Sequence, residues 1–265
     1  MPLSRRQMLR TSAGSLLAAG VWPGWVHADA PAGEFRFVAI NDTHYLDDKC
    51  GPWFATVTKS VKANAEKAAF VLAVGDLAND GTAAQLGGAR DVLKGFDLPY
   101  YAVCGNHDYK AQDDRKAYEE LFPGRLNYRF EHSGWQFVGI DSTDGVKYDK
   151  TAVGRDALKW LDAELPKLDA KKPTVLFTHF PLGEGVKYRV TNADAVLERF
   201  KGVNLRAVLN GHYHGFTEKA AGGAVVTTNR CCAFARGNHD GTKEKGYFVF
   251  AAKEGKLTRE FVEVK

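Results

Sequence analysis

Two patterns of hydrophobic residues, one typical of strands and one typical of helices, alternate along the first two thirds of the chain. Short apolar runs of strand character alternate with longer segments whose apolar residues recur at helical spacing. The strand-like runs are Phe35 to Ile40, Phe70 to Val74, Tyr100 to Val103, Trp135 to Ile140, Thr174 to Thr178 and Leu205 to Leu209. The helical segments are Trp53 to Lys67, Thr82 to Leu93, Arg155 to Leu165 and Asn192 to Phe200. This alternation predicts an α/β fold with parallel strands.

The last third of the chain has a different pattern. Strand-like runs at Ala224 to Thr228, Tyr247 to Ala251 and Leu257 to Val262 are joined by Gly-rich or Lys-rich turns. They predict antiparallel hairpins that complete a second sheet. We therefore expect an α/β fold in which two mixed sheets pack face to face between helices, a four-layer αββα sandwich.

Composition is compatible with one large domain or two small ones. The chain has 265 residues, 45% of them hydrophobic, which is enough for one large core. A low-complexity tract, a proline-rich linker and a fixed-period repeat are all absent from the sequence. We assign residues 29–265 to a single domain, and residues 1–28 to a leader.

The leader has the features of an export signal. Arg5, Arg6 and Arg10 precede a mildly apolar stretch that is too short and too weak to span a membrane permanently. This arrangement resembles a twin-arginine signal peptide, whose pathway exports folded proteins. Cleavage is expected after Ala28, and the alternative after Ala30 would leave a proline at the new N-terminus. We expect an exported, periplasmic protein; the competing interpretation is a cytoplasmic chain with a frayed basic leader.

Net charge gives no support to a nucleic-acid partner. The formal charge is +4, and without residues 1–28 there are 33 basic against 32 acidic residues, which leaves +1. A nucleic-acid-binding domain of this size would carry a basic excess. We expect a small-molecule substrate, no nucleic-acid polymer and no stable membrane span.

Five of the predicted strands end in a short polar cluster. In chain order the clusters hold Asp42 and His44; Asp76; Asn106, His107 and Asp108; His179; and His212 and His214. Because the carboxyl ends of parallel strands share one edge, these side chains are expected to converge there. Carboxylate, amide and imidazole groups suit manganese, iron, zinc or nickel. Since no cysteine occupies a candidate position, a sulfur-rich zinc site is excluded.

Local spacing suggests how the clusters are built. In Asp42-x-His44 and His212-x-His214, alternate residues of an extended segment would lie on one side. A glycine precedes the polar residues at Gly75, Gly105 and Gly211, and we expect each glycine to allow a sharp turn between strand and ligand.

The ordered set Asp-x-His, Gly-Asp, Gly-Asn-His-Asp, a lone His and Gly-His-x-His over residues 42–214 resembles the calcineurin-like metallophosphatase family. The resemblance implies two divalent metal ions. It implies that Asp42, His44 and His214 hold one ion, that Asn106, His179 and His212 hold the other, and that Asp76 bridges them. His107 would be a catalytic residue beside the substrate, and the resemblance assigns no role to Asp108.

The resemblance also implies hydrolysis of phosphoesters, in the first place as a phosphodiesterase. A hydroxide shared by the two metals would attack in line, with His107 assisting the leaving group. The alternatives are a phosphomonoesterase with the same site and a non-catalytic phosphatase-like scaffold. The scaffold is disfavoured because all seven ligands and His107 are present. The loops Gly145 to Gly154, Gly183 to Thr191 and Cys231 to Lys245 would decide between diester and monoester.

Two features depart from the simplest family pattern. Many members have a carboxylate that supports the active-site histidine where this chain has Asn79, so an amide hydrogen bond is expected instead. The tetrapeptide Gly-Asn-His-Asp also recurs at 237–240. It is interpreted either as a turn or as a substrate loop in which Arg236 or His239 meets phosphate, and not as a metal site.

Four cysteines and two further histidines need interpretation. Cys104 ends an apolar strand and is expected to be a buried thiol, whereas Cys50 could pair with Cys231 or Cys232 in an oxidising compartment. Four free thiols are the alternative. His132 precedes a Ser-Gly turn and is expected to be exposed, and His27 belongs to the leader.

Overall fold

The computed structural model describes residues 33–65 and 67–265. The predicted leader and both cleavage sites lie outside these residues, so export stays a prediction. Within the described ranges, each helix falls short of the length and apolar character that a membrane crossing requires.

Eleven strands and five α-helices make up the described part of the chain. The strands are β1 Phe35–Ile40, β2 Ala68–Val74, β3 Tyr100–Val103, β4 Tyr128–His132, β5 Trp135–Gly139, β6 Thr174–Phe177, β7 Leu205–Asn210, β8 Thr217–Ala221, β9 Ala224–Thr228, β10 Gly246–Lys253 and β11 Lys256–Glu263. The α-helices are α1 Gly51–Asn64, α2 Ala83–Gly95, α3 Lys116–Leu121, α4 Arg155–Glu164 and α5 Ala193–Arg199. Short 3₁₀ turns cover Asp48–Cys50, Asn106–Asp108 and Leu165–Lys167.

The strands form two mixed sheets. The first has the order β11-β10-β1-β2-β3, with β1, β2 and β3 parallel. The second has the order β4-β5-β6-β7-β9-β8, with β5, β6, β7 and β9 parallel and antiparallel strands at both edges. Each sheet therefore has a parallel centre whose strand ends lie along one edge.

Alternation within the strands builds three apolar layers. In β1, Phe37 and Ala39 belong to the cluster between the two sheets, whereas Val38 and Ile40 belong to the cluster under α1, α2 and α3. The third cluster packs α4 and α5 on the outer face of the second sheet. Burying each large apolar side chain contributes about 1.5–3 kcal/mol. The predicted four-layer αββα arrangement is confirmed.

Several details differ from the prediction. The β10–β11 hairpin completes the first sheet by pairing with β1, rather than the second sheet. As expected, β9 forms an antiparallel hairpin, in this case with β8, but it also pairs in parallel with β7 on its other side. Strands β4 and β8 and helix α3 lie outside the prediction. The two strands lie at sheet edges and carry many polar residues, so they lack a clear apolar pattern. Helix α3 has only six residues, too few to show a helical periodicity.

The expectation that His132 is an exposed turn residue is wrong. His132 is the last residue of β4 and pairs with Trp135 of β5. Its ring lies 4.7 Å from the ring of Phe35 and 5.3 Å from that of Phe70. It therefore belongs to the aromatic end of the core between the sheets.

Candidate metal centre and active site

The tips of the parallel strands are joined to one another by backbone hydrogen bonds. Asp42 N–H donates to the carbonyl of Gly75 at 3.0 Å, and His44 N–H donates to that of Asp76 at 3.0 Å. In the second sheet, Gly211 N–H donates to the His179 carbonyl at 2.9 Å. The structure thus brings the predicted polar clusters to one rim.

Five of the seven predicted ligands have a left-handed backbone. They are Asp42 (φ 50°), His44 (φ 42°), Asp76 (φ 51°), His212 (φ 62°) and His214 (φ 50°). Such a conformation costs a non-glycine residue on the order of 1–3 kcal/mol, and clusters of it are typical of functional sites. The expectation of extended segments is therefore wrong: tight turns, rather than strand pleating, aim these side chains at the site.

The glycines at the strand tips serve different needs. Gly75 has φ +79°, and a Cβ atom there would lie 2.5 Å from His179 Nδ1. Gly105 is extended (φ −109°, ψ 173°), but its Cβ would lie 2.2 Å from the backbone nitrogen of Asp76. The predicted turning role therefore holds for Gly75, whereas Gly105 is required for close approach.

The buried ligands form two groups that share Asp76. Asp42, His44, Asp76 and His214 make one group, and Asp76, His179 and His212 make the other; within each group the ligand atoms all lie within 4.8 Å of one another. Asp76 Oδ2 lies 3.6 Å from His44 Nε2, and its Oδ1 lies 3.2 Å from His179 Nε2. The two carboxylate oxygens thus face different groups, which suits a bridging ligand.

Backbone carbonyls fix three of the imidazole rings. His179 Nδ1 lies 3.0 Å from the Val74 carbonyl, His212 Nε2 lies 2.8 Å from that of Tyr148, and His214 Nδ1 lies 3.0 Å from that of Gly237. A carbonyl can only accept a hydrogen bond, so each of these nitrogens carries the proton. The other ring nitrogen faces the acidic cluster, where it can bind a metal once it is deprotonated. Against the effect of burial, Asp76 raises the pKa of His179 to about 9 and Asp42 raises the pKa of His214 to about 11, so a cation must displace a proton from these two rings.

Asn106 supplies an independent indication of a cation-binding site. Its side chain is buried, and its Oδ1 has no hydrogen-bond partner among the described residues. A buried amide oxygen is costly to leave unpaired. Asn106 lines the same cavity as Asp76 and His212. The donor set therefore fits divalent cations, and the assignment of each ligand to a particular ion stays a prediction.

Electrostatics prepares the carboxylates and two imidazoles for metal binding. Burial opposes ionisation of Asp42, but His214 outweighs it from 3.1 Å and lowers the pKa of Asp42 to about 2. Burial lowers the pKa of His212 to about 4 and that of His44 well below its ordinary value. At neutral pH these groups are in the deprotonated state that ligands require.

His107 lies at the wall of the cavity, next to both groups. Its backbone N–H donates to Asp76 Oδ1 at 2.9 Å, and its ring lies 4.8 Å from that of His44. Its Nδ1 lies 2.6 Å from the main-chain carbonyl of Asn79, so Nε2 is the nitrogen left for a substrate. The main-chain carbonyl of Asn79 therefore supports the His107 ring. The expectation that the side-chain amide of Asn79 would do so is wrong.

Asp108, to which the family resemblance assigns no role, connects two loops. It is fully buried, Oδ1 accepts from Ala78 N–H at 2.9 Å, and Oδ2 accepts from Gly105 N–H at 2.8 Å. Burial, with a further contribution from Asp76, raises the pKa of Asp108 to about 7. Asp108 therefore holds the loop after β2 against the loop after β3.

Asp108→Asn is expected to destabilise the protein by about 1–3 kcal/mol, because an amide can accept one of the two N–H groups while its own NH₂ faces the other. Urea unfolding of the variant would measure the change. Asp113→Asn, at an exposed position of the following loop, is the control and should leave the midpoint unchanged. Equal midpoints for both variants would contradict this role.

The cavity above the site measures about 510 Å³ and draws on all three loops expected to govern specificity. The first loop contributes Val146 and Tyr148, the second Tyr188, and the third Arg236 and His239. The rings of Tyr148 and Tyr188 lie 6.3 Å apart, and that of Tyr188 lies 5.1 Å from His212. Neither tyrosine belongs to a sequence motif, so the sequence alone does not identify them as cavity residues.

The cysteines are all free. Cys50, Cys104, Cys231 and Cys232 are buried thiols, so the suggested pairing of Cys50 does not occur in the structure. Cys104 is buried as expected. Burial raises its pKa well above the ordinary value, which makes it a poor nucleophile.

Comparison with known proteins agrees with this geometry. The sequence model described as "Calcineurin-like phosphoesterase" matches residues 35–216. A probable cyclic nucleotide phosphodiesterase of Synechococcus sp. is 31% identical over 55% of this chain and 57% of its own. A probable glycerophosphodiester phosphodiesterase, GpdQ, of Arcobacter nitrofigilis is 27% identical over 55% of this chain and 56% of its own. The match thus spans little more than half the length of these relatives.

Among solved structures, a purple acid phosphatase from yellow lupin (Lupinus luteus) superposes with a TM-score of 0.68. The superposition covers 89% of this chain and 52% of that protein, at 14% sequence identity. At this low sequence identity, the superposition shows that the two proteins share a fold. The four-layer arrangement therefore occurs in a structurally known phosphatase.

Proposed function

The chain belongs to the calcineurin-like phosphoesterase family, and from this premise and the geometry of its site we propose that it is a metal-dependent hydrolase of phosphodiesters. The observation that carries the proposal is the pair of buried ligand groups that meet at opposite oxygens of Asp76. Two such groups would hold a pair of cations, and a pair of metal ions recurs in phosphoester hydrolases.

In the proposed enzyme, Asp42, His44 and His214 would hold one divalent cation, Asn106, His179 and His212 would hold the other, and Asp76 would be shared between them. When bound, such ions lower the pKa of a coordinated water and polarise the phosphoryl oxygens. Manganese, iron, zinc and nickel all suit these ligands.

His107 is proposed to assist the leaving group. Its Nδ1 proton is committed to the Asn79 carbonyl, which fixes the ring and leaves Nε2 to hold or deliver a proton at the departing oxygen. The position of His107 on the cavity wall, outside both ligand groups, supports this role.

The names of the two relatives favour a diester over a monoester substrate. One is described as acting on cyclic nucleotides and the other on glycerophosphodiesters. A phosphomonoesterase with the same ligands is the second candidate, because the purple acid phosphatase shares the fold. A small-molecule phosphoester is the proposed substrate in either case.

Hydrolysis of bis-p-nitrophenyl phosphate and of p-nitrophenyl phosphate tests the proposal. With manganese added, we expect the diester to give the higher kcat/KM, and excess chelator to abolish both reactions. Loss of activity on chelation should be reversed by restoring the metal, which distinguishes metal removal from denaturation. Turnover that persists after complete metal removal, or a higher kcat/KM for the monoester, would count against the corresponding part of the proposal.

We also propose export through the twin-arginine pathway. The arginine pair, the apolar stretch and the small-residue cleavage site at Ala28 occur in the required order and support it. N-terminal sequencing of the protein recovered from the periplasm should begin at Asp29. Recovery of the protein in the cytoplasm with its leader intact would contradict export.

A further inference from the structure

Arg236 is a cavity residue that neither the ligand groups nor His107 accounts for. It precedes the second Gly-Asn-His-Asp segment, is half-buried and lines the cavity together with Asp76 and His107. The carbonyl of the next residue, Gly237, fixes the ring of His214. The segment is therefore part of the wall of the site rather than a distant turn.

The guanidinium of Arg236 is held in place by one side chain. Its Nε and Nη2 donate to Asn79 Oδ1 at 3.0 and 2.8 Å, and Nη2 lies 3.4 Å from His107 Nδ1. Because two donors meet one acceptor, the planar group has a defined orientation. Within residues 33–65 and 67–265, Nη1 has no hydrogen-bond partner, so donor capacity remains free.

In the described part of the chain Arg236 has no directly bonded carboxylate partner, although Asp80 of the same cavity interacts with its charge at longer range. Among the described residues, no carboxylate lies within 4.0 Å of its guanidinium, and the partner Asn79 is a neutral amide. A carboxylate at position 79 would have formed an ion pair and reduced the attraction for an incoming anion. A partly buried guanidinium without a directly bonded carboxylate is favourable where an anionic ligand supplies that contact.

The same residue supports both Arg236 and His107. The Asn79 carbonyl accepts from His107 Nδ1 at 2.6 Å, while its side-chain oxygen accepts from the guanidinium. The guanidinium therefore has a fixed position beside the proposed proton-delivering imidazole and within reach of the cavity. A phosphoryl oxygen near His107 would meet both groups.

We propose that Arg236 binds a phosphoryl oxygen of the substrate and that Asn79 is the positioning residue that orients it, an inference that rests on the proposed function. The ligand class is a tetrahedral oxyanion: a phosphodiester, a phosphomonoester or inorganic phosphate. Guanidinium groups suit such ligands because their N–H groups are arranged to donate to two oxygens at once. This selects Arg236 over His239 of the same segment, whose exposed ring packs against that of His214 at 4.8 Å.

Binding of inorganic phosphate to the manganese-loaded protein, measured by calorimetry, tests the inference without requiring turnover. Arg236→Met should weaken binding by about 10- to 100-fold, the size expected for a lost charge-assisted hydrogen bond. Arg236→Lys should restore part of the affinity, since it keeps the charge and loses the planar fork. Bound manganese per chain should be the same in all variants.

Arg230→Met is the matched control. Arg230 lies six residues before Arg236 in the chain. Its Nε donates to Thr242 Oγ1 at 3.4 Å, and its guanidinium lies over the ring of Phe261, outside the cavity. It should bind phosphate like the wild type. Unchanged phosphate affinity in Arg236→Met, or an equal loss in Arg230→Met, would overturn the proposal.

Asn79→Ala provides a second variant that keeps Arg236 itself. Releasing the guanidinium should weaken phosphate binding, but less than Arg236→Met does, and wild-type affinity in this variant would overturn the positioning role. If the wild-type protein hydrolyses neither test ester, the proposed function fails, whereas the phosphate titrations still decide whether Arg236 binds an oxyanion.

Discussion

Replacing Asp76 with asparagine is expected to remove metal from both ligand groups and to lower phosphodiester turnover by more than the roughly 10- to 100-fold that changes outside the ligand shell cost. The reason is geometric, since Asp76 Oδ1 faces His179 and Oδ2 faces His44. Asparagine has nearly the same shape and tolerates the left-handed backbone at this position (φ 51°). Loss of the shared negative charge is therefore the main change.

Metal analysis of the purified variant checks this prediction. Fewer than one tightly bound ion per chain is expected after desalting, together with a normal circular dichroism spectrum. Asp91→Asn removes one carboxylate from the exposed face of α2 and should retain the wild-type metal content. Two ions per chain in Asp76→Asn would show that Asp76 does not bridge.

His107→Ala is expected to lower kcat by about 100- to 10,000-fold, the usual contribution of general acid–base catalysis. The metal content should not change, because the His107 ring belongs to neither ligand group and its backbone N–H, which donates to Asp76, is retained. The variant thus separates assistance to the leaving group from assembly of the metal centre.

Leaving groups of different basicity provide the sharper measurement for His107→Ala. p-Nitrophenolate departs readily without a proton, whereas an alkoxide does not. The variant should therefore lose more activity on a dialkyl phosphodiester than on bis-p-nitrophenyl phosphate. Equal losses on both substrates would refute proton delivery, and a parallel loss of metal would show that the side chain acts through the ligands.

The strand tips could be predicted because their signal is local. Each apolar run stops at a polar cluster, as at Ile40 before Asp42 and at Val74 before Asp76, and parallel strands must end at the same edge. The sheet that receives the β10–β11 hairpin depends instead on pairing between Phe37 and Phe250, more than two hundred residues apart. Edge strands such as β4 are hard to predict from the sequence because one face of the strand is polar and exposed.

Other parts of the site left no mark in the sequence. The carbonyls of Val74, Tyr148 and Gly237 hold imidazoles through the main chain, which every residue type has. The left-handed backbone conformations occur at Asp and His residues, and these residue types alone do not predict a left-handed conformation. For Asn79 the residue type suggested a side-chain contact with His107, whereas the structure uses its backbone there and its side chain for Arg236.

The metal centre has a consequence for the order in which the chain assembles. Asp42 follows the first strand of one sheet and His214 follows β7 of the other, so one ligand group joins positions 172 residues apart. Closing a loop of that length is entropically costly until packing between the sheets holds the ends together. Cation capture by the complete group is thus a late event in folding, and a chain that has captured its cations has already brought both sheets into register.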